Sequence, residues 1–405
     1  MKLVKIPEDR YEEYRLNAIF DCYKWDPMFE DNNTVAKFAL EITEEEYFEL
    51  KTLTEELDVE TRNAENFLYK NLDYALPLAL PKQVYNELSR MSNYDEKKHI
   101  RLMRYDFHPT TDGKWAVSEV NSDVPGGFAE ASLLPKLVIE TLKSSKYYSI
   151  DFGENLVNAI CGKIKKNGRI MFVHCTSYSD DRQVMQYIGD KMSALGYTSI
   201  YGAGDHLIFK DKKAISVLNG YEGEVDCIFR FTPLEWLRAI KPKKWDGYFD
   251  TITPSCNHPI AIFAQTKRFP LIWDDLEDAG ICLDTWRELL PETIEVKDAK
   301  GRKGFIYKPA CGRVGERISI KEACKDDEYK KIMKEVRWHP KDYLAQEQFL
   351  SKPLKSQDGE LYHVCLGSYT VDGNHAGFYA RISKKCRIDS DAADIPVIIK
   401  RGKKK

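Results

Sequence analysis

The pattern of apolar and polar positions changes character twice along the chain. From Glu8 to Tyr23, and again from Thr43 to about Leu72, apolar residues recur at helical spacing, and Thr43-Glu44-Glu45-Glu46 has the form of a capping box. The first hundred residues are therefore expected to be mostly helical. Residues 101–107 and 114–121 then alternate or run apolar like strands, and Asp112-Gly113 between them favours a hairpin turn. A helix is expected from Phe128 to about Leu142, a short apolar strand at 169–174, an amphipathic helix at 180–195, and strands at 197–201 and 225–230. That alternation predicts an α/β layer with a largely parallel sheet. Residues 303–383 read as strand-rich and are punctuated by Gly312, Gly315, Gly359, Gly367, Gly373 and Gly377, which predicts an antiparallel sheet with mobile loops. The Lys/Arg-rich end from Lys400 reads as a frayed, solvated tail.

Length and charge narrow the classes. At 405 residues the chain holds two to four compact units, or one large catalytic unit built from several lobes. A formal net charge of −3 lacks the basic excess that non-specific nucleic-acid binding needs, so no nucleic-acid partner is expected. Charged residues make up 31% and no apolar run is long enough to span a membrane, so no membrane partner is expected either. The ten cysteines are scattered without a CxxC pair, and the amino terminus has no apolar targeting segment. Reduced thiols in a cytoplasm are the simplest reading, and structural zinc lacks its paired-ligand spacing.

Candidate chemistry starts at the hairpin. Side chains alternate across a strand, so Arg104 and Asp106 share one face, as do Glu119 and Asn121. A hairpin centred on Asp112-Gly113 places Asp106 opposite Glu119 and Arg104 opposite Asn121, with Pro109 marking irregularity near the turn. Facing carboxylates repel, so something positive should sit between them. Arg104 is one candidate. Two carboxylates and an amide oxygen are also the hard oxygen set that suits Mg²⁺. An ordinary charged strand face in water is the alternative.

A second candidate is the run Lys308-Pro309-Ala310-Cys311-Gly312-Arg313-Val314-Gly315, which follows the β-prone Phe305-Ile306-Tyr307 and precedes Ile318-Ser319-Ile320, where a strand is expected to resume. Strand, glycine loop, strand matches neither a P-loop nor a Rossmann turn. Its glycines would let a flap bring backbone N–H groups to phosphate, with Lys308 and Arg313 adding positive charge; a plain surface hairpin is the alternative. Lys267 in Gln265-Thr266-Lys267-Arg268 is a further cation. Residues 344–350 alternate like a strand edging a cleft, where Glu347 or Gln348 could bond a base or ribose. Residues 367–373 and 375–383 read as a second hairpin, and Arg381 on its apolar-aromatic strand should have a fixed anionic partner.

In this order the stretches RYDF…GKWAVSEVNSD (from Arg104), QTKRF (from Gln265), YKPACGRVG (from Tyr307), AQEQFL (from Ala345) and VDGNHAGFYAR (ending at Arg381) resemble the ATP-grasp synthetase region of the glutathionylspermidine synthase family. The resemblance implies an α+β or α/β, ATP-grasp-like synthetase over residues 8–400. Within it would lie a helical part plus the metal hairpin (1–150), a pre-ATP-grasp α/β lobe (151–255) and a strand-rich nucleotide-binding lobe (256–400). It implies Asp106, Glu119 and Asn121 as Mg²⁺ ligands, Arg104 and Arg313 as catalytic arginines, and Lys267, Lys308, Gly312, Gly315, Glu347 and Gln348 around ATP. Arg381 and Asp123 would meet the substrate. The cofactors implied are ATP and Mg²⁺. The partners implied are a small-molecule or peptide carboxylate and an amine, possibly a polyamine.

Two departures follow from the same residues. The family's amidase domain has no room before these motifs, so ligation without amide hydrolysis is expected. Ser122-Asp123-Val124-Pro125-Gly126-Gly127 also replaces a stretch that carries small hydroxyl residues in glutathione-using relatives. The activity implied is amide formation through an acyl phosphate with release of ADP. A phosphotransferase on the same scaffold and a nucleotide-binding protein without turnover are the alternatives.

Overall fold

Thr43 closes the strand Phe38–Thr43 and caps the helix Glu44–Lys70. Its hydroxyl accepts the Glu46 N–H at 3.1 Å while the Glu46 carboxylate accepts the Thr43 N–H at 2.8 Å, the reciprocal pair of a capping box. The computed structural model describes residues 1–402 apart from Asn93, Arg313, Val314 and Glu316. The helix buries Leu50, Leu57, Ala64 and Leu68 in the main apolar core. On the same helix Thr54 bonds Ser368 at 2.8 Å and Asp58 accepts from Thr370 at 2.8 Å, so its inner face also grips the strand Leu361–Val371 through polar pairs.

That strand is the middle of the sheet that carries the site. The sheet runs in the order Ala393–Asp394, Asn374–Ser383, Leu361–Val371, Leu102–Pro109, Trp115–Asn121, with every pairing antiparallel. Both expected hairpins are therefore present and lie side by side. Gly367 stands opposite Asp106, and a Cβ there would come within 2.7 Å of the Arg104 side chain and 3.0 Å of Asp106 Oδ1. Only glycine leaves space for that pair.

Residues 169–256 form the expected parallel sheet, ordered Ser255–Cys256, Cys227–Phe231, Arg169–His174, Thr198–Gly202. The helices Phe128–Leu142 and Ser179–Ala194 supply buried residues to its core. A third sheet joins the two ends of the chain: Lys2–Lys5, Phe38–Thr43, Val397–Lys400, Tyr147–Tyr148. The first hundred residues are thus less uniformly helical than their periodicity predicts. The tail is also held further than expected. The Arg401 N–H bonds Lys146 O at 2.9 Å and the Gly402 N–H bonds Glu44 at 2.8 Å, while residues 403–405 lie outside the described residues.

Two expectations between 303 and 383 are corrected. The segment 318–320 is not a strand; Ser319 makes a single backbone bond to Tyr307 O, at 3.0 Å. The region also contains the helix Asp326–Trp338, whose buried face is only Ile332 and Val336. The strands Phe305–Pro309 and Tyr343–Glu347 do form and pair antiparallel. Among the described residues no helix is long and apolar enough to cross a membrane. The whole is a mixed α/β, ATP-grasp-like architecture.

Candidate active site

Asp106 stands opposite Glu119 and Arg104 opposite Asn121, the expected pairs, although next to the turn Pro109 faces Trp115, a register centred on Asp112 rather than between Asp112 and Gly113. From Phe107, which faces Val117, the register shifts by one and Ser118 becomes the extra residue of a bulge. The bulge is used: Ser118 O accepts from Lys308 Nζ at 3.3 Å.

Arg104 grips Asp106 with both arms of its guanidinium, Nε to Oδ1 at 2.7 Å and Nη2 to Oδ2 at 3.0 Å, and its third nitrogen bonds Gly126 O at 3.0 Å. The Tyr379 ring lies 5.1 Å from the guanidinium carbon. Asn121 donates its amide N–H to Asp106 Oδ2 at 3.0 Å, which leaves the amide oxygen as the acceptor it can offer elsewhere. Lys267, just after the short helix Ile262–Gln265, lies 2.6 Å from Glu119 Oε2 and 2.6 Å from Gly312 O.

These charges set the protonation states. Burial alone would raise the Glu119 pKa, but Lys267 first, then Lys308 and Arg104, outweigh it and hold it at about 2. Burial pushes the Asp106 carboxyl up against the pull of Arg104, and the Glu119 charge adds to the rise. Lys308 is buried, and burial together with the Lys267 charge lowers its ammonium to about 8 in spite of Glu119.

Arg104, Asp106, Glu119, Asn121 and Lys308 open into a cleft of about 760 Å³. Behind the two lysines lies a small cavity of about 30 Å³, walled by Phe269, Trp286, Leu290 and Gln346. Arg381 lines the cleft as well, donating to Asp389 O at 2.8 Å and Ala392 O at 3.1 Å, with Asp394 3.7 Å from its Nε. Arg387, also on the cleft wall, bonds Glu328 at 2.7 Å and Asp389 at 3.1 Å. Ile388, the residue after Arg387, packs on Gly315: Gly315 has φ +65°, and a Cβ on it would lie 2.3 Å from Ile388 O. Gly312 receives Lys267 on its carbonyl, while Arg313 lies outside the described residues.

Four of the expected and described site residues, Gly312, Asp123, Glu347 and Gln348, line neither the cleft nor the small cavity. Asp123 is buried, with one oxygen on Arg230 and the other accepting the Leu234 N–H at 2.7 Å. Glu347 is exposed at the end of its strand, and Gln348 is held by a backbone bond to Gly304 O at 2.8 Å; neither lines the cleft or the small cavity. Their neighbour Gln346 does, and its Oε1 is buried without a partner. Strand alternation separates 346 from 347, and Lys308 on the paired strand could have chosen between them.

The Asp123–Arg230 pair joins the hairpin to the parallel sheet. Arg230→Met would leave a buried, unpaired carboxylate. A loss of about 3–5 kcal/mol in urea unfolding is expected, and a loss below about 1 kcal/mol would mean that the pair does not tie the two parts together.

No sequence signal marks the other end of the cleft. Lys24, 1% exposed, sits among Asp26 at 2.7 Å, Glu130 at 3.3 Å and Asp394 at 2.6 Å. Glu130 Oε1 also accepts from Gln183 at 2.8 Å, while its Oε2 is buried without a partner. Trp25, next in sequence to Lys24, adds aromatic surface there, and Phe231 and Trp236 line the cleft elsewhere. Three carboxylates stand here against the Lys24 ammonium and the Arg381 guanidinium, 3.7 Å from Asp394, so one carboxylate is in excess, and Lys24, Asp26, Glu130 and Asp394 come from three distant segments.

The family model described as glutathionylspermidine synthase preATP-grasp matches residues 11–400. A search of curated proteins returned no match. Among solved structures, a glutathione synthetase-like effector from Globodera pallida in its apo form matches with a TM-score of 0.64 and 12% identity, over 96% of this chain and 97% of that one. A putative gamma-glutamylcysteine synthetase from Methylobacillus flagellatus KT matches with a TM-score of 0.45 and 12% identity, over 84% of this chain and 87% of that one. The first of these likenesses is one of fold.

Proposed function

Because this chain belongs to the glutathionylspermidine synthase preATP-grasp family, we propose that it is an ATP-dependent ligase that joins a carboxylate to an amine through an acyl phosphate, releasing ADP and phosphate. The observation that carries the reading is a single cleft with two chemically different ends. At one end stand Arg104, Asp106, Glu119, Asn121 and Lys308, and at the other Asp26, Glu130 and Asp394. Residues 8–400 act as one catalytic unit in this reading, since the hairpin and Arg381 are strands of one sheet.

A carboxylate and an amine at neutral pH form a salt, so the acid must first be activated. Asp106, Glu119 and the free amide oxygen of Asn121 are a hard-oxygen donor set that fits Mg²⁺. When bound, Mg²⁺ would offset phosphate charge. Lys308 on the cleft wall, with Lys267 behind Glu119, would neutralise the same phosphates, and Arg104 would oppose charge that grows on the transferred group. Arg313 of the flap is assigned the same kind of task by its place in the motif. Arg381 offers the incoming acid a cation already fixed by backbone carbonyls.

The acidic end suits the amine. The unpartnered Oε2 of Glu130 can accept from an ammonium, and the neighbouring Trp25 ring suits an aliphatic or polyamine chain. Before attack the ammonium must lose a proton. Burial lifts the Asp26 pKa to about 7 against the pull of Lys24, with Glu130 and Asp394 adding to the rise, so Asp26 can take that proton near neutral pH.

ADP release with Mg²⁺-ATP, scanned over peptide acids and amines including glutathione and spermidine, tests the reading. ADP that appears only when an acid and an amine are both present supports it, and ADP with a hydroxyl acceptor alone would make the protein a phosphotransferase. Glu130→Gln is expected to raise KM for the amine about 10- to 100-fold, the worth of one charge-assisted bond, with KM for ATP unchanged. Equal effects on both KM values would count against this placement of the amine.

A further inference from the structure

A second pocket, of about 240 Å³, shares no lining residue with the cleft. It opens where the long helix at Arg62, the approach to the acidic hairpin from Tyr94 to Arg101, the segment from Asn257 to Ala261 and the turn at Asp372 come together. Its wall anchors the hairpin: the Asn257 side chain accepts the Leu102 N–H at 2.7 Å and donates to Leu102 O at 2.5 Å and Ser122 O at 2.6 Å.

The pocket holds more hydrogen-bond donors than acceptors free to meet them. His99 is 4% exposed, and its Nδ1 accepts the Ser255 N–H at 3.2 Å, which puts the ring proton on Nε2. Burial keeps this imidazole neutral, with a pKa of about 4, and its Nε2–H has no partner among the described residues. Arg62 is half-buried and makes no hydrogen bond or ion pair among the described residues. Behind them Arg101 is held by Asp58 and Glu65 but keeps one buried nitrogen, Nη2, without a partner.

The carboxylates of the pocket are already engaged. Asp372 accepts the Arg101 N–H at 2.9 Å and meets Lys163 at 3.5 Å, and Glu96 accepts from Asn66 at 2.8 Å. Tyr94, stacked on His99 at 6.0 Å, closes one side with an aromatic face.

We propose that this pocket is a binding site for a small oxyanion, a phosphate or carboxylate group received by the Arg62 guanidinium and the Nε2–H of His99. The proposal is independent of the ligase reading, because none of the residues assigned to that chemistry lines the pocket.

Calorimetric titration with inorganic phosphate and, separately, succinate tests it, on protein whose cleft is filled with Mg²⁺ and a non-hydrolysable ATP analogue. One equivalent of either anion is expected to bind, with at least about tenfold weaker affinity in Arg62→Ala, and the His99 Nε2–H resonance is expected to shift during the wild-type titration. The response of the two probes separates phosphate from carboxylate as the preferred group. Absence of binding by both anions with the cleft filled, or binding that Arg62→Ala leaves unchanged and that does not move the His99 signal, would overturn the proposal.

Discussion

Asp106→Asn is expected to abolish Mg²⁺-dependent ADP formation, with a loss of about 10³-fold or more, while the protein still melts cooperatively. The substitution keeps the side-chain shape, so the space left by Gly367 is filled as before. What disappears is the charge. Arg104 loses the carboxylate that both its arms grip, and the donor set falls to one carboxylate and amide oxygens, which hold Mg²⁺ poorly. Glu119→Gln should behave alike for a different reason. The Lys267 ammonium and its neighbours hold Glu119 ionised down to about pH 2, so the charge is present across the working range and only mutation removes it. ADP production against Mg²⁺ concentration, with thermal melts in parallel, measures both. Wild-type turnover in both variants would sink the metal role of the hairpin.

The hairpin was legible from two local signals, the Asp-Gly turn and the strand alternation, but the meeting of Asp106 with Glu119 was reached by a different route: the pairs nearest the turn centre on Asp112, and the extra residue Ser118 restores the expected partners further along. The bulge at Ser118 was not legible, since one extra residue in a strand leaves no mark in composition. The capping box at Thr43 is local in the same sense and reads correctly. By contrast the helix Asp326–Trp338 buries only Ile332 and Val336, one i,i+4 pair on a charged background, and the surrounding glycines dominate the pattern.

Long-range partners account for the remaining differences. Asp123 follows the hairpin and looks like a member of its polar face, but its fate is decided by Arg230, a residue of the parallel sheet. The strand Lys2–Lys5 pairs with Phe38–Thr43, which itself pairs with Val397–Lys400 at the other end of the chain. Lys24, Asp26, Glu130 and Asp394 are each ordinary charged residues in sequence. Only the fold makes them one acidic end of a cleft.

Lys308→Ala is expected to weaken Mg²⁺-ATP binding about 10- to 100-fold, the worth of a charge-assisted hydrogen bond or two. A second signature identifies the cause. Burial, with help from Lys267, lowers the Lys308 pKa to about 8, so above that pH the amine is mostly neutral. Phosphate placed beside it favours the ammonium and raises the pKa again. Binding at pH 8.5 to 9 should therefore take up close to one proton. Binding below about pH 7 should take up none through this group, because the proton is already there. Calorimetry in two buffers of different ionisation heat reads the uptake directly. Loss of the proton in Lys308→Ala, together with weaker binding, assigns the phosphate contact to this lysine. A wild-type titration at pH 9 with no proton uptake would mean that the nucleotide phosphates lie elsewhere.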